Sequence, residues 1–197
     1  MKQFLSLIFL LLTASVIQIF VTSCAYKLSS RTQLLPGHVK RIQIPLFKNK
    51  STEPGIEVFF TNSIKNEALK SSVAKLQNLE NESEAILQGT INSIDIMSED
   101  TSVIEAKNSK YLPSETVLAT QYRVEANIDI QLKRKGSTEI LWSGNFKQAR
   151  NYSAPKISLP VINTANSLYN QSAKRQALDA LSKDMMQAAF DRMLENF

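Results

Sequence analysis

The sequence predicts an α+β domain: one mostly antiparallel sheet with two helices packed on one face. Three observations carry that reading. Tyr122, Val124, Ala126, Ile128, Ile130 and Leu132 alternate without a fault, which is the period of a half-buried strand. Ile56, Phe60 and Ile64 fall four apart, which makes a helical face. Near the C-terminus Leu178, Leu181, Met185, Ala189 and Met193 form one stripe, and Met186, Phe190, Met193 and Phe197 form a second beside it. An apolar face that wide suits a helix lying on a sheet. Neighbouring strands between two helices argue a single sheet layer covered on one side, its other face open to solvent or to a partner.

The chain begins with a targeting signal. Met1-Lys2 is a short positive start, and Phe4 to Phe20 is strongly apolar. Val21-Thr22-Ser23-Cys24 then places small residues ahead of the single cysteine. This stretch resembles the bacterial lipobox. The resemblance implies cleavage between Ser23 and Cys24, a diacylglyceryl group on the Cys24 sulfur and an acyl group on the new amine. The apolar stretch is near the lower limit for a membrane-spanning helix, about 17–25 residues. An uncleaved anchor and an ordinary cleaved signal are therefore the alternatives. Ala25, where an acidic residue would resemble an inner-membrane retention signal, resembles the outer-membrane default. The expected organisation is a removed signal peptide over 1–23, the lipidated Cys24 with a short tether to residue 37, and one domain over 38–197.

Leu34-Leu35-Pro36-Gly37 is a turn signal. Ile42, Ile44 and Leu46 alternate with polar residues, predicting a strand over Val39 to Phe47; Pro45 has no N–H, so it belongs at an edge or a bulge. Pro54 suits a first helical turn, and the helix ends around Lys70-Ser71-Ser72. Val73 to Leu79 predicts a short edge strand. Ala85, Leu87, Gly89 and Ile91 share one parity and Ile94 and Ile96 the other, so a bulge is expected near Asn92-Ser93. Ser98 to Ser114 has no clear period and predicts a long loop. Lys133 to Ser137 reads as a hairpin turn with Gly136 free for positive φ, followed by a return strand through Ile140, Trp142, Gly144 and Phe146. Asn151 to Asn170 is rich in Asn, Ser and Pro and predicts a loop, with the last helix starting about Gln171.

Composition excludes several chemistries. At 197 residues with 43% hydrophobic and 21% charged side chains, the chain is too apolar for full disorder and too polar for many membrane spans. One Cys rules out an internal disulfide and a Cys-based zinc site, and one His rules out a His cluster. No nucleophile–base–orienter set can be assembled, so no enzyme and no cofactor beyond the Cys24 lipid is expected. His38 beside a turn reads as a surface residue, Glu99-Asp100 as a solvated pair and the Asn-x-Ser sequons as chance. The net charge of +5 is compatible with an anionic partner. Lys133-Arg134-Lys135 at the hairpin tip could grip phosphates, or it is a solvated turn of the usual composition. Nucleic acid is not the expected partner, because aromatic residues do not interleave with the basic ones.

Several stretches are similar, in order, to one family. They are Cys24-Ala25-Tyr26; Leu35-Pro36-Gly37-His38-Val39-Lys40-Arg41-Ile42; Ile44-Pro45-Leu46-Phe47-Lys48-Asn49-Lys50-Ser51; Glu53-Pro54-Gly55-Ile56-Glu57; and Thr61-Asn62. Ala85 to Ile91, Tyr122-Arg123-Val124 and Leu141-Trp142-Ser143-Gly144 continue the match. With them the chain resembles the LPS-assembly lipoprotein family (LptE-like), the small subunit of the outer-membrane lipopolysaccharide translocon. The resemblance implies a non-catalytic lipoprotein on the periplasmic face of the cell outer membrane. Its partners would be a β-barrel, which it helps to assemble and plugs, and lipopolysaccharide. The Pro-Phe-x-Asn strand end and the Trp-Ser-Gly strand end also occur in penicillin-binding-protein activators and curli-type secretion subunits. An envelope lipoprotein activating a cell-wall synthase, or serving another secretion machine, is therefore the alternative. The Glu-Pro-Gly helix start and the late hairpin favour the first family.

Overall fold

Alternation through residues 122–132 does what a half-buried strand must: Val124, Ala126, Ile128, Ile130 and Leu132 are all at most 1% exposed, and the residues between them face away from the core. The computed structural model describes residues 34–104, 116–153 and 167–195. Its strands are β1 (Arg41–Gln43), β2 (Lys48–Asn49), β3 (Lys75–Leu76), β4 (Ala85–Ile104), β5 (Thr116–Arg134) and β6 (Ile140–Ser153). Its helices are α1 (Ile56–Ser71) and α2 (Ser167–Glu195).

The fold is α+β, with one 6-stranded sheet in the order β3-β1-β4-β5-β6 and β2 pairing with β4. The long pairs β4–β5 and β5–β6 are antiparallel, whereas β1 runs parallel to β3 and β4, and β2 parallel to β4. The sheet is therefore mixed. The crossover through α1 is the physical reason, since a strand–helix–strand connection returns the chain in the same direction.

The bulge expected near Asn92 is present. Ile91 pairs with Ile128 and Ser93 with Asn127, which leaves Asn92 as the extra residue and keeps Ile91 and Ile94 on the buried face. The predicted strand over Val39–Phe47 is interrupted instead of continuous. Ile42 and Gln43 pair with Ala85 and Ile86, then Lys48 and Asn49 pair with Thr90 and Ile91. Ile44 to Phe47 thus span one residue more than the β4 segment opposite, and Pro45 sits in that excess, where its missing N–H costs no ladder bond.

Two expected loops are strands in part. The first part of the Ser98–Ser114 stretch continues β4 to Ile104, with irregular pairing around Asp100, and β5 begins beyond the stretch at Thr116. The expected Asn151–Asn170 loop loses its first residues to β6, where Asn151, Tyr152 and Ser153 pair with Arg123, Tyr122 and Gln121. Residues 105–115 and 154–166 lie outside the described residues, as do the signal, Cys24, the tether up to Gln33, and Phe197. The last helix starts at Ser167, a turn before Gln171.

Both helical faces pack as their spacing requires. On α1, Ile56, Phe60, Ile64 and Ala68 are buried; on α2, Leu178, Leu181, Met185, Met186, Ala189, Phe190 and Met193 are buried. The helices touch through small residues, with Ser63 and Ser182 hydroxyls 3.1 Å apart. Ser182 gives its hydrogen to the Asp179 carbonyl (2.7 Å), so Ser63 donates between the helices. Leu35 and Pro36, expected in the tether, are buried in the core, and the turn after them uses Gly37 at φ 71.

The junction between the Pro45 bulge and α1 depends on a buried threonine. Thr61 Oγ1 accepts the Phe47 N–H (3.0 Å) and donates to the Glu57 carbonyl (2.6 Å), at 2% exposure. Thr61→Val keeps the shape and strands the Phe47 N–H. The expected cost is about 1–3 kcal/mol, read as a lower urea midpoint at unchanged m-value.

Candidate functional site

The hairpin tip does not present its three cations as one group. Arg134 Nε lies 2.8 Å from Glu139 Oε2 across the turn, so its charge is compensated. Lys133 and Lys135 hold no carboxylate among the described residues, and the Lys135 N–H donates to the Glu84 carbonyl (3.0 Å). Gly136 takes φ 70 at the turn, as expected. His38 is exposed, and Glu99 pairs with Arg123 at 3.4 Å.

The face of the sheet away from the helices is polar. Gln88, Thr90, Ser93 and Asp95 on β4 lie beside Glu125, Asn127, Asp129 and Gln131 on β5, with Ser143, Asn145 and Lys147 following on β6. Its centre is a fixed amide–carboxylate network. Asn92 Nδ2 donates to Asp129 Oδ2 (2.7 Å), and Asn145 Nδ2 donates to both Asp129 Oδ1 (2.8 Å) and Asn127 Oδ1 (2.9 Å). Lys147 reaches Glu125 at 2.8 Å. The Asn92 bulge is what turns that amide toward Asp129, so a backbone irregularity and a polar cluster share one cause.

These bonds set an acid sensitivity. The Asn145 amide, then the Asn92 amide, holds the Asp129 carboxyl below its ordinary value of 3.8, with Lys50 adding to it and burial opposing. Glu84 is lowered from 4.5 by the Lys40 N–H first, then by Arg41, again with burial opposing. A carboxylate with a depressed folded pKa contributes stability above its unfolded value and loses it as the pH falls through the folded one. Stability should therefore hold down to about pH 4 and fall below it. Asp129→Asn should flatten that fall, measured by circular dichroism between neutral pH and pH 2.

The stretch that carried the family resemblance has a structural job. Asn49 Nδ2 donates to the Glu53 carbonyl (2.8 Å) and to Glu57 Oε2 (2.9 Å), while its Oδ1 accepts from the N–H (2.9 Å) and hydroxyl (2.7 Å) of Ser51. One side chain thereby folds the connection and delivers Glu53-Pro54-Gly55 to the start of α1. Gly55 takes φ 80 there, a conformation open to glycine at little cost. Among the described residues there is no metal-binding cluster, and no helix is long and apolar enough to cross a membrane.

A family model for lipopolysaccharide assembly, LptE, matches residues 39–195, from the first buried residue after the turn to the end of α2. The chain belongs to the LptE family. A role in lipopolysaccharide assembly follows from that membership, and the α+β fold, a sheet with two helices, is as expected, although the sheet is mixed. No curated protein matches the sequence. Among solved structures, a PelC dodecamer from Paraburkholderia phytofirmans is similar at 8% identity and TM-score 0.44, over 76% of this chain and 84% of that one. Lipoprotein B from Nitrosomonas europaea is similar at 16% identity and TM-score 0.41, over 87% and 88%. A minor lipoprotein from Acinetobacter baumannii is similar at 12% identity and TM-score 0.40, over 78% and 90%. At these scores the three likenesses carry no argument about this LptE-family chain.

Proposed function

We propose that this chain is an outer-membrane lipoprotein, cut between Ser23 and Cys24 and held on the periplasmic face by lipid on Cys24. There it assembles with and plugs the β-barrel of the lipopolysaccharide translocon and assists insertion of lipopolysaccharide at the cell surface. The observation that carries the reading is the family match across residues 39–195. The action is steric and electrostatic, not catalytic. Barrel interiors are polar, and the open sheet face with its Asn92–Asp129–Asn145 network is a polar surface of matching character. Lys133 and Lys135 are the candidate phosphate contacts at the tip; Arg134 contributes less because Glu139 holds it. Depletion is expected to leave the barrel misassembled and lipopolysaccharide missing from the surface. Normal surface lipopolysaccharide after clean deletion would overturn the reading.

A further inference from the structure

The chain enters the domain at one end of the sheet. Leu35 is fully buried, and the turn after it lies against the β5–β6 hairpin, where a side chain on Gly37 would meet Leu141 and Arg134. Leu141 is the extra residue of a bulge, since Leu132 pairs with Trp142 and Lys133 with Ile140. The point of entry and the hairpin tip are therefore packed together. β1, β3 and β4 begin at the same end, because Arg41 pairs with Lys75, and Ala85 with both Ile42 and Arg134.

The length of the tether singles out that end. The ten peptide steps from Cys24 to Leu34 span at most about 35 Å. β4 alone, 20 residues from Ala85 to Ile104, runs about 60 Å. A domain held to a bilayer by its amino-terminal segment can rest its hairpin end on the surface. It cannot rest there on the far end of β4, because Leu35 would then stand beyond the reach of the tether.

The chemistry of the hairpin end suits a lipid surface. Lys40, Lys75 and Lys135 gather around Glu84. The Lys40 N–H donates to Glu84 Oε2 (2.8 Å), the Lys75 N–H to the Lys40 carbonyl (2.7 Å) and the Lys135 N–H to the Glu84 carbonyl (3.0 Å). Lys133 follows two residues before Lys135. None of these four ammonium groups holds a carboxylate among the described residues, because Arg41 takes Glu84 (3.0 Å) and Arg134 takes Glu139 (2.8 Å). With Glu80 and Glu82 on the turn before β4, six cations face four carboxylates. Ile140 is 51% exposed and stands directly opposite Lys133. An exposed apolar side chain among lysines is the composition of a surface that lies in the headgroup layer. By contrast, Lys70 and Lys183 on the helices hold Glu67 and Asp179, and Lys147 on the open sheet face holds Glu125.

We propose that the hairpin end is a membrane-docking surface. Lys40, Lys75, Lys133 and Lys135 meet the phosphates of anionic glycerophospholipids in the leaflet that anchors the chain, and Ile140 enters the headgroup layer. The inference concerns the anchored chain before any partner holds it. It rests only on attachment of the amino-terminal segment to that leaflet, through Cys24 or through the apolar stretch before it, and not on the barrel or on lipopolysaccharide. Each lysine near an anionic surface strengthens the attraction roughly fivefold. The tether makes the contact intramolecular, so a surface this weak suffices to set the orientation, although it would not hold an untethered chain through fractionation.

The test uses the full protein purified from membranes and placed in phosphatidylcholine nanodiscs, with and without phosphatidylglycerol, that carry a nitroxide quencher on the lipid headgroups. A fluorophore is attached through Thr138→Cys at the hairpin tip or through Thr101→Cys at the far end of β4. The expected result is quenching several-fold stronger at position 138 than at 101, increased by phosphatidylglycerol and reduced by salt. Lys133→Glu with Lys135→Glu should weaken the phosphatidylglycerol-dependent part about tenfold or more at an unchanged melting temperature. Lys65→Glu with Lys183→Glu, which change the net charge equally, should leave it nearly intact. Equal quenching at both positions, quenching at 138 indifferent to phosphatidylglycerol and salt, or equal losses from the two pairs of reversals would each overturn the surface. Binding of purified lipopolysaccharide by the same variants in detergent forms a separate arm. If Lys133→Glu with Lys135→Glu removes that binding and leaves quenching unchanged, the tip serves lipopolysaccharide and the docking surface is overturned. If quenching follows phosphatidylglycerol and the lysines while deletion leaves surface lipopolysaccharide normal, the docking surface stands and the translocon reading falls.

Discussion

Gly89→Val is expected to cost about 3 kcal/mol of stability or more, at or beyond the upper end of what overpacking a core costs. Gly89 lies in β4 directly beneath the Phe47 ring, and any Cβ built on it would collide with that ring. Phe47 cannot swing away cheaply. It is 3% exposed, and its N–H is tied to Thr61. A side chain at 89 therefore expels a buried aromatic ring from the core or forces β2 off β4. Chemical denaturation by urea should show a lower midpoint for Gly89→Ala and loss of a cooperative transition for Gly89→Val. The double variant Gly89→Ala, Phe47→Leu should recover part of the loss, because the two positions share one space. Additive losses would mean that the ring does not occupy the place assigned to it.

Cys24→Ser is expected to abolish lipid labelling and release the protein from the membrane fraction. In the proposed lipoprotein the thiol is what accepts the diacylglyceryl group, and a serine hydroxyl would not replace it. One acyl chain binds a bilayer only marginally, whereas a mature lipoprotein of the kind proposed carries several, so the change is from stable anchoring to essentially none. Fractionation with radiolabelled palmitate checks both parts. A Cys24→Ser protein that stays with the membrane would show that the apolar segment through Phe20 is an uncleaved anchor.

What the sequence could reveal followed burial. Alternation in β5 was readable because one face of that strand is sealed by the helices, and the change of parity after Ile91 disclosed the Asn92 bulge for the same reason. The distal part of the long hairpin was unreadable because none of its described side chains past Met97 on β4 is buried. Met97 is 49% exposed, and Ser98, Glu99 and Thr101 are exposed as well, so a true strand there carries no period-2 signal. β1 and β2 looked like one strand because Ile42, Ile44 and Phe47 all reach the core, although the chain leaves the ladder between them. The charge run at 133–135 was visible, but the pairing of its central Arg134 was not. That depends on where the side chain of Glu139 lands after the turn. The ion pair between the start of α1 and α2 was invisible to any local pattern, since Glu53 and Lys174 stand 121 positions apart. The stretch Glu53-Pro54-Gly55-Ile56 was the available signal, noticed as a family likeness and not as one side of a contact.

The most direct test of the central claim is affinity purification of the tagged, lipidated protein from detergent-solubilised outer membranes. A β-barrel recovered in stoichiometric amount is the expected result. A protein recovered alone, with the barrel absent under conditions that keep other outer-membrane complexes intact, would contradict it.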